Sequence, residues 1–431
     1  MINYKDSGIE WLGQIPSHWN IVRIGSQYTE RKTKVSDTDY PPLSVTMKGI
    51  VPQLATAAKT DAHDDRKLVC KGDFAINSRS DRRGSCGISA YDGSVSLINT
   101  ILCPRDEMNP EYYDWLFHST MFSDEFYKWG HGIVDDLWTT NWQDMKRISI
   151  PEPSLEEQAR IAKHLSKVCS EIDEVIAKTK ATIEEYKKLK QSIITDAVTK
   201  GLQKHRAMQY SGIDYLGDCP IEWSIASIGT LFDFLGGFAF KSELFCEETD
   251  NQVIRIGNIR NNELLIENKP VYVSDEYAQQ AEGNRILVDD ILFSMTGTRG
   301  KQDYFYTVLV LPKYLENKRL YLNQRVGCFR SKQKLDMRYY SHLLKVSRIK
   351  DFVFLFETGT VNQGNLGIET IRRTKLFVPP IEEQKEIADY LDKKCAEIDT
   401  LIAKKTALLE EMESYKKSVI YEYVTGKKEV K

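Results

Sequence analysis

Apolar residues recur at alternating spacings of three and four along two long stretches of this chain. In the first, Leu165, Val168, Ile172, Val175, Thr179, Thr182, Tyr186, Leu189 and Ile193 form a heptad seam. In the second, Leu391, Ile398, Leu401, Leu408, Met412, Tyr415 and Val419 hold the matching positions, with Lys394 and Lys405 interrupting the stripe. Each stretch runs about 45 residues without proline, which predicts a helix ~67 Å long at ~1.5 Å per residue. A stripe of that length facing water is unfavourable, so each helix needs a partner. Two such helices in one chain are expected to pair with each other. Parallel and antiparallel arrangements are both open; closure of two equal halves by a twofold axis favours the antiparallel one.

Between these stretches the pattern changes to short apolar runs of strand composition ending at turn residues. "KLVCKGDFAINS" (Lys67 to Ser78) and "RILVDDILFSMTG" (Arg285 to Gly297) each place an apolar stretch on either side of an acidic turn. "PPLSVTMKGI" and "QVIRIGNIR" read as strands ending at a glycine, and helices are expected over Glu111 to Lys128 and Met337 to Phe356.

The chain writes itself twice. "EEQARIAKHLSKVCSEID" begins at Glu156 and "EEQKEIADYLDKKCAEID" at Glu382, in constant register from Gln158 and Gln384 to Cys169 and Cys395. Upstream, "SGIEWLGQIPSHWNIVRIGS" is matched by "SGIDYLGDCPIEWSIASIGT", pairing Gly8 with Gly212, Pro16 with Pro220 and Trp19 with Trp223. Two large repeats are too few for a solenoid and point to a pseudo-twofold molecule. The expected fold class is α+β. Two globular mixed α/β domains, 1–150 and 207–379 with their entry motifs, are separated by a long antiparallel two-helix coiled coil from 151–206 and 380–431. This dumbbell places "YVTGKK" beside Met1, as "AVTKG" stands beside Tyr210. Trp11, Trp19, Tyr215 and Trp223 of the entry motifs are expected to pack on the helix ends.

Composition narrows the class without naming a function. A chain of 431 residues with 41% hydrophobic and 28% charged residues has the make-up of a multidomain globular protein. No run approaches the roughly eighteen apolar residues of a membrane span, and "MINYKDSGIEW" lacks a signal-peptide core, so no membrane role and a cytoplasmic location are expected. Eight scattered cysteines without a CxxC pair suggest neither a disulfide framework nor a zinc site. Net charge is −3; residues 1–150 carry 17 Lys and Arg against 20 Asp and Glu, and residues 220–379 carry 21 against 19. Any nucleic-acid binding must therefore come from local patches.

The duplicated "SGIEWLGQIPSHW"/"SGIDYLGDCPIEW" motifs and the Pro-x-x-x-EQ helices ending in "AVTKG" or "YVTGK" resemble the specificity subunit of type I restriction-modification systems, over essentially the whole chain. The resemblance implies that the globular segments are target recognition domains, each reading one half of a bipartite, gapped target on double-stranded DNA. It implies that the helices act as spacer and docking platform for two DNA adenine methyltransferase subunits, which restriction subunits that hydrolyse ATP and translocate DNA then join. S-adenosylmethionine, ATP and Mg belong on those partners, and none of them on this chain.

The chain carries no catalytic signature of its own. Asn109-Pro110-Glu111-Tyr112 lacks the second proline of an adenine methyltransferase loop and suits a helix cap. "GTRGKQ" (Gly297 to Gln302) fails as a phosphate loop, because Met295 stands at its first glycine and Gln302 follows the lysine. DNA contacts are expected by residue type. Arg79, Arg82 and Arg83 in "NSRSDRRGS", and Arg299 and Lys301 in "SMTGTRGKQ", suit guanine edges and phosphates. Asn141 in "DDLWTTNWQ", and Asn362, Gln363 and Asn365 in "GTVNQGNLG", suit adenine edges, though asparagine also serves in turns. Lys48, Arg255, Asn258 and Arg260 stand at strand ends. A coiled-coil scaffold that binds protein partners without DNA is the competing reading, compatible with the near-neutral charge.

Overall fold

The computed structural model describes residues 3–54, 64–132, 138–360 and 363–430. It divides into two compact units, Met1–Ala181 with Lys405–Lys431, and Thr182–Lys404. The two long helices span Leu155–Lys200 and Ile381–Val424, 46 and 44 residues, and each contributes one half to each unit.

In the first unit the entry motif folds as a hairpin of Tyr4–Asp6 on Gln14–Pro16, and the following strand Asn20–Arg23 pairs with Ser149–Glu152 just ahead of the long helix. The main sheet is antiparallel in the order Tyr28–Glu30, Asn99–Pro104, Phe74–Asn77, Cys86–Ile88. Helices Pro110–His118 and Thr120–Lys128 cover it. Phe117 lies 5.0 Å from Phe74 and 4.6 Å from Phe122, ring centre to ring centre. A single helix was expected over Glu111 to Lys128, but Ser119 interrupts it and caps the second piece by accepting from the Phe122 N–H.

The second unit repeats this plan. Met208–Tyr210 pairs with Asp218–Pro220, and Ser224–Ser227 with Lys375–Val378. Its main sheet has the same strand order, Phe232–Gly236, Val326–Ser331, Ile291–Ser294, Thr307–Leu309. Its covering helix is again in two pieces, Met337–Leu343 and Ser347–Phe354. Of "RILVDDILFSMTG", only Ile291–Ser294 forms a long strand; the stretch ahead of it contributes a single bridge, Arg285 to Tyr321. The acidic turn has the same task in both units. Buried Asp73 takes Arg31 at 2.6 Å and buried Asp290 takes Arg330 at 2.7 Å, each a two-pronged carboxylate–guanidinium pair tying the turn to the end of one strand in the first unit and to a strand in the second.

The long helices run in opposite directions within each unit. In the first, Lys416 reaches Asp173 at 2.6 Å and Lys180 reaches Glu413 at 3.2 Å. In the second, Lys190 reaches Asp399 at 2.6 Å. The buried and half-buried stripe of the first helix is Leu165, Cys169, Ile172, Ile176, Thr179, Ile183, Tyr186, Lys190 and Ile193. The second repeats it at Leu391, Cys395, Ile398, Ile402, Lys405, Leu409, Met412, Lys416 and Val419. This corrects part of the expected seam, of which Val168, Thr182 and Leu408 are half-buried beside the stripe. Val175, Leu189, Leu401 and Tyr415 are 43–48% exposed, and Lys405 stands in the stripe instead of interrupting it. Around the common line of Leu165 and Ile172, steps of three and of four lead to opposite flanks of a 3.6-residue helix, and packing buries the flank of Cys169 and Ile176.

The helix ends close each core. In the first unit, the Tyr112 hydroxyl donates to the Val424 carbonyl at 2.8 Å, and Lys427 donates to the carbonyls of Leu12 and Gln14 at 2.7 and 3.0 Å. Gly426 has φ +71°, and a Cβ there would stand 2.4 Å from Pro16, so "YVTGKK" is held against the entry motif by a turn only glycine fits. In the second unit, Tyr339 donates to the Val198 carbonyl at 3.0 Å. Trp11, Trp19 and Trp223 are buried in cores that include the helix ends. Tyr215, half-buried, packs against the same core as Trp223 and also stacks on Phe352 of a covering helix at 3.9 Å. No helix among the described residues is long and apolar enough to cross a membrane.

Candidate nucleic-acid interface

In the first unit, the arginine turn is one 3₁₀ turn, Ser80–Arg82, connecting the main-sheet strands Phe74–Asn77 and Cys86–Ile88. Its backbone is bonded to the segment that precedes the long helix. The Ser80 N–H donates to the Trp138 carbonyl at 2.9 Å, the Thr140 N–H to the Ser78 carbonyl at 3.0 Å, and Arg79 bridges Thr139. Thr139 also exchanges two backbone hydrogen bonds with His131. Two segments far apart in sequence thus form one surface. Asp81 holds Arg79 at 3.3 Å and Arg82 at 3.7 Å, while Arg83 pairs with Asp124 at 3.1 Å and lies 5.2 Å above the Tyr127 ring. Arg82, 67% exposed and held only loosely, is the guanidinium of this turn with most freedom to reach a groove. Lys48, next to the exposed Met47, stands at the tip of a hairpin of Leu43–Thr46 and Gly49–Pro52.

In the second unit the analogous pair of segments also meets. Thr296–Gly297 is antiparallel to Gln363–Leu366, with Thr296 opposite Asn365, and Gln363–Leu366 continues onto Glu357–Thr360. Arg299 donates to the Gly359 carbonyl at 2.9 Å. Glu357 pins the loop by accepting from the Gly300 N–H at 2.9 Å and the Tyr304 hydroxyl at 2.7 Å. Burial and the Glu357 carboxylate together raise the Tyr304 phenol above its usual range, keeping it a donor. Lys301 is exposed, and the Gln363 amide lies 3.5 Å from the Asn365 oxygen. Arg260 opens onto a cleft of about 430 Å³ that Ser294, Thr296, Asp303 and Tyr306 also line.

Some expected contacts are otherwise engaged. Asn258 is 2% exposed, its oxygen accepts from the Arg255 N–H and its nitrogen donates to the Leu265 and Asn268 carbonyls, all at 2.9 Å, so it has no group to offer a base. Arg255 is half-buried and donates to the Lys269 carbonyl at 2.9 Å, bracing the same loop. Asn141 caps the helix Trp142–Met145, its oxygen accepting from Gln143 at 2.7 Å and Asp144 at 3.3 Å. Asn362 lies outside the described residues. Asn109 is the helix cap it was expected to be, accepting from the Tyr112 N–H at 3.1 Å. Sequence reasoning missed His131 and Glu357. Neither has a local signal: Glu357 joins the surface through Gly300 and Tyr304, distant along the chain, and His131 through Thr139, which itself bridges to the distant Arg79.

The family model for the type I restriction modification DNA specificity domain matches the chain twice, over residues 16–185 and 220–411. A type I restriction enzyme MjaVIII specificity subunit from Methanocaldococcus jannaschii is 26% identical over 99% of this chain and 97% of its own length. The EcoBI specificity subunit of Escherichia coli is 28% identical over 48% of this chain and 39% of its own length. Among solved structures, a chain from a study of type I R-M complex assembly and conformational transition superposes with a TM-score of 0.71 at 14% identity, covering 95% of this chain and 98% of that one. The HsdS subunit from Thermoanaerobacter tengcongensis superposes with a TM-score of 0.51 at 16% identity, covering 96% and 98%. At these identities the superpositions establish the fold.

Proposed function

Because the chain belongs to the type I restriction modification DNA specificity family, we propose that each unit reads one half of a bipartite, gapped target on double-stranded DNA. The supporting observation is that both units join an arginine-bearing turn to the segment ahead of the long helix by main-chain hydrogen bonds, presenting side chains from both as one surface. Lys48, Arg79, Arg82 and Arg83 are the candidate contacts of the first unit. Arg260, Arg299, Lys301, Gln363 and Asn365 are those of the second, with Asn362 beside them in sequence. The units differ in these loops, so the half-sites differ. Read from one side of the duplex, their centres lie about one turn, ~10 bp, apart.

The long helices act as an antiparallel coiled-coil spacer and as the docking platform for two adenine methyltransferase subunits. The exposed apolar flank supports the platform role. Val175 and Tyr415 in the first unit, and Leu401 and Leu189 in the second, occupy repeat-equivalent positions, and each is open to a partner. Methyl transfer, ATP hydrolysis and translocation belong to the methyltransferase and restriction subunits, which carry S-adenosylmethionine, ATP and Mg; this chain contributes recognition and the platform for assembly. Methylome sequencing of cells expressing the chain with its methyltransferase tests the reading. A two-part sequence with a fixed unspecified gap is expected, and an ungapped target would refute it.

A further inference from the structure

A second basic cluster recurs in both units, away from the arginine turns. In the first unit, the short helix Ile24–Gln27 follows the strand Asn20–Arg23 directly, and the Gly25 N–H donates to the Lys146 carbonyl at 3.0 Å. A Cβ at Gly25 would stand 3.1 Å from that carbonyl and 3.2 Å from the Lys146 Cβ, so glycine permits the close approach. In the second unit, Gly229 of the helix Ile228–Leu231 stands in the same relation to Arg372, whose Cβ and carbonyl would lie 3.3 Å from an added Cβ. Lys146 and Arg147 thus correspond to Arg372 and Arg373.

The third charge shows the correspondence most clearly. Arg23 sits opposite Ser149 in the first unit, and Ser227 sits opposite Lys375 in the second. The ladder position is the same and the cation has changed strands. Residues directly opposite each other have Cβ atoms ~4.5–5.5 Å apart, so either strand delivers the charge to nearly the same place. Arg23, Arg147, Arg372, Arg373 and Lys375 are exposed and Lys146 is half-buried. Of these six cations, only Arg372 has a carboxylate within 4.0 Å among the described residues, that of Glu369. In the second unit the trio lines a cleft of about 500 Å³ with Ser227, Gly229 and Glu369.

We propose that each trio is a sequence-independent contact for the phosphodiester backbone of DNA. The reading turns differ between the units, as two different half-sites require. A cationic trio kept at one place in both, with its third charge supplied from either strand, fits the chemistry common to any half-site, which is phosphate. This inference rests on the DNA-recognition reading above.

The test uses the complete complex of this chain with its methyltransferase, carrying Arg23→Gln, Lys146→Gln and Arg147→Gln in one variant and Arg372→Gln, Arg373→Gln and Lys375→Gln in another. Binding to a target duplex and to an unrelated duplex is measured across a salt series. Abolishing one phosphate interaction reduces the slope of log K against log salt by ~0.9, so abolishing the three of one trio flattens it by up to ~2.7, equally on both duplexes. The methylated sequence stays the same, and Lys at the two arginines of the first trio, with Lys146 retained, preserves the slope. An unchanged slope, a weakening confined to the target duplex, or intact DNA binding with failed methyltransferase capture would each overturn the proposal. Absence of DNA binding by the wild-type complex would instead remove the reading on which it rests.

Discussion

The buried side chain of Gln158 accepts a hydrogen bond from the backbone N–H of Asn109 at 2.9 Å while donating to the Pro153 carbonyl at 2.9 Å. Gln384 repeats this with Asp336 at 3.0 Å and Pro379 at 2.8 Å. The glutamine written twice in "EEQ" therefore ties the start of each long helix to the start of the covering helix. Removing it leaves a half-buried N–H without its partner, which costs up to about 1–3 kcal/mol. Gln158→Ala is expected to speed hydrogen exchange in peptides around Asn109 and leave those around Asp336 unchanged. Gln384→Ala should do the reverse, by peptide-level mass spectrometry.

The preceding glutamate predicts an acid response. Burial alone would raise the Glu157 carboxyl, but hydrogen bonds from His18, Ser154 and Trp19 outweigh it and hold the group below its ordinary value of 4.5. A depressed folded-state value means stability that is present above the unfolded-state value and lost as pH falls through the folded one. Urea unfolding is expected to show wild type more stable than Glu157→Gln at neutral pH. The difference should close at pH values below 4.5. A constant difference across that range would contradict the linkage.

Reading and assembly separate by variant. Arg82→Ala and Arg83→Ala alter exposed side chains, so folding and methyltransferase association persist while one half-site weakens, by about 1–3 kcal/mol for each base interaction abolished. Ile172→Asp and Ile398→Asp place charges on buried seam positions and should damage both units. Pull-down with methyltransferase and DNA anisotropy distinguish the two sets; equal failure of assembly in both would reject the division.

Val175→Ser and Leu401→Ser test the exposed flank. Both residues are more than 40% exposed, so thermal stability is expected to change by no more than about 0.5 kcal/mol. Capture of the methyltransferase should fall. Unchanged capture would leave the helices as a spacer alone.

A fragment ending at Gly201 lacks the C-terminal helix segment that supplies Val419, Ile420, Tyr423 and Val424 to the first core. The repeat-equivalent residues of a second copy are Ile193, Ile194, Ala197 and Val198, and the Val198 carbonyl already accepts from a tyrosine in the second unit. The fragment is expected to form a homodimer that, with methyltransferase, modifies a palindromic gapped site. Ala197 in place of Tyr423 leaves a void, so that dimer should be less stable than the native pairing. Sedimentation showing a stable monomer at micromolar concentration would count against it.

The sequence by itself determined the duplication, the two long helices, the entry motifs closing on the helix ends, and the family. Each rests on identities or periodicities spanning tens of residues, which local chemistry writes directly into the chain. Only the tertiary structure decided which flank of the stripe is buried. Steps of three and of four both lie close to a 3.6-residue turn, and the burial of Cys169 and Ile176 while Val175 stays exposed belongs to the packing partner. Tertiary structure also joined Arg79 to Thr139 and Thr296 to Asn365, and turned Asn258 inward. Those outcomes depend on main-chain pairing between distant segments, and a side-chain type that suits a base edge suits a buried carbonyl just as well.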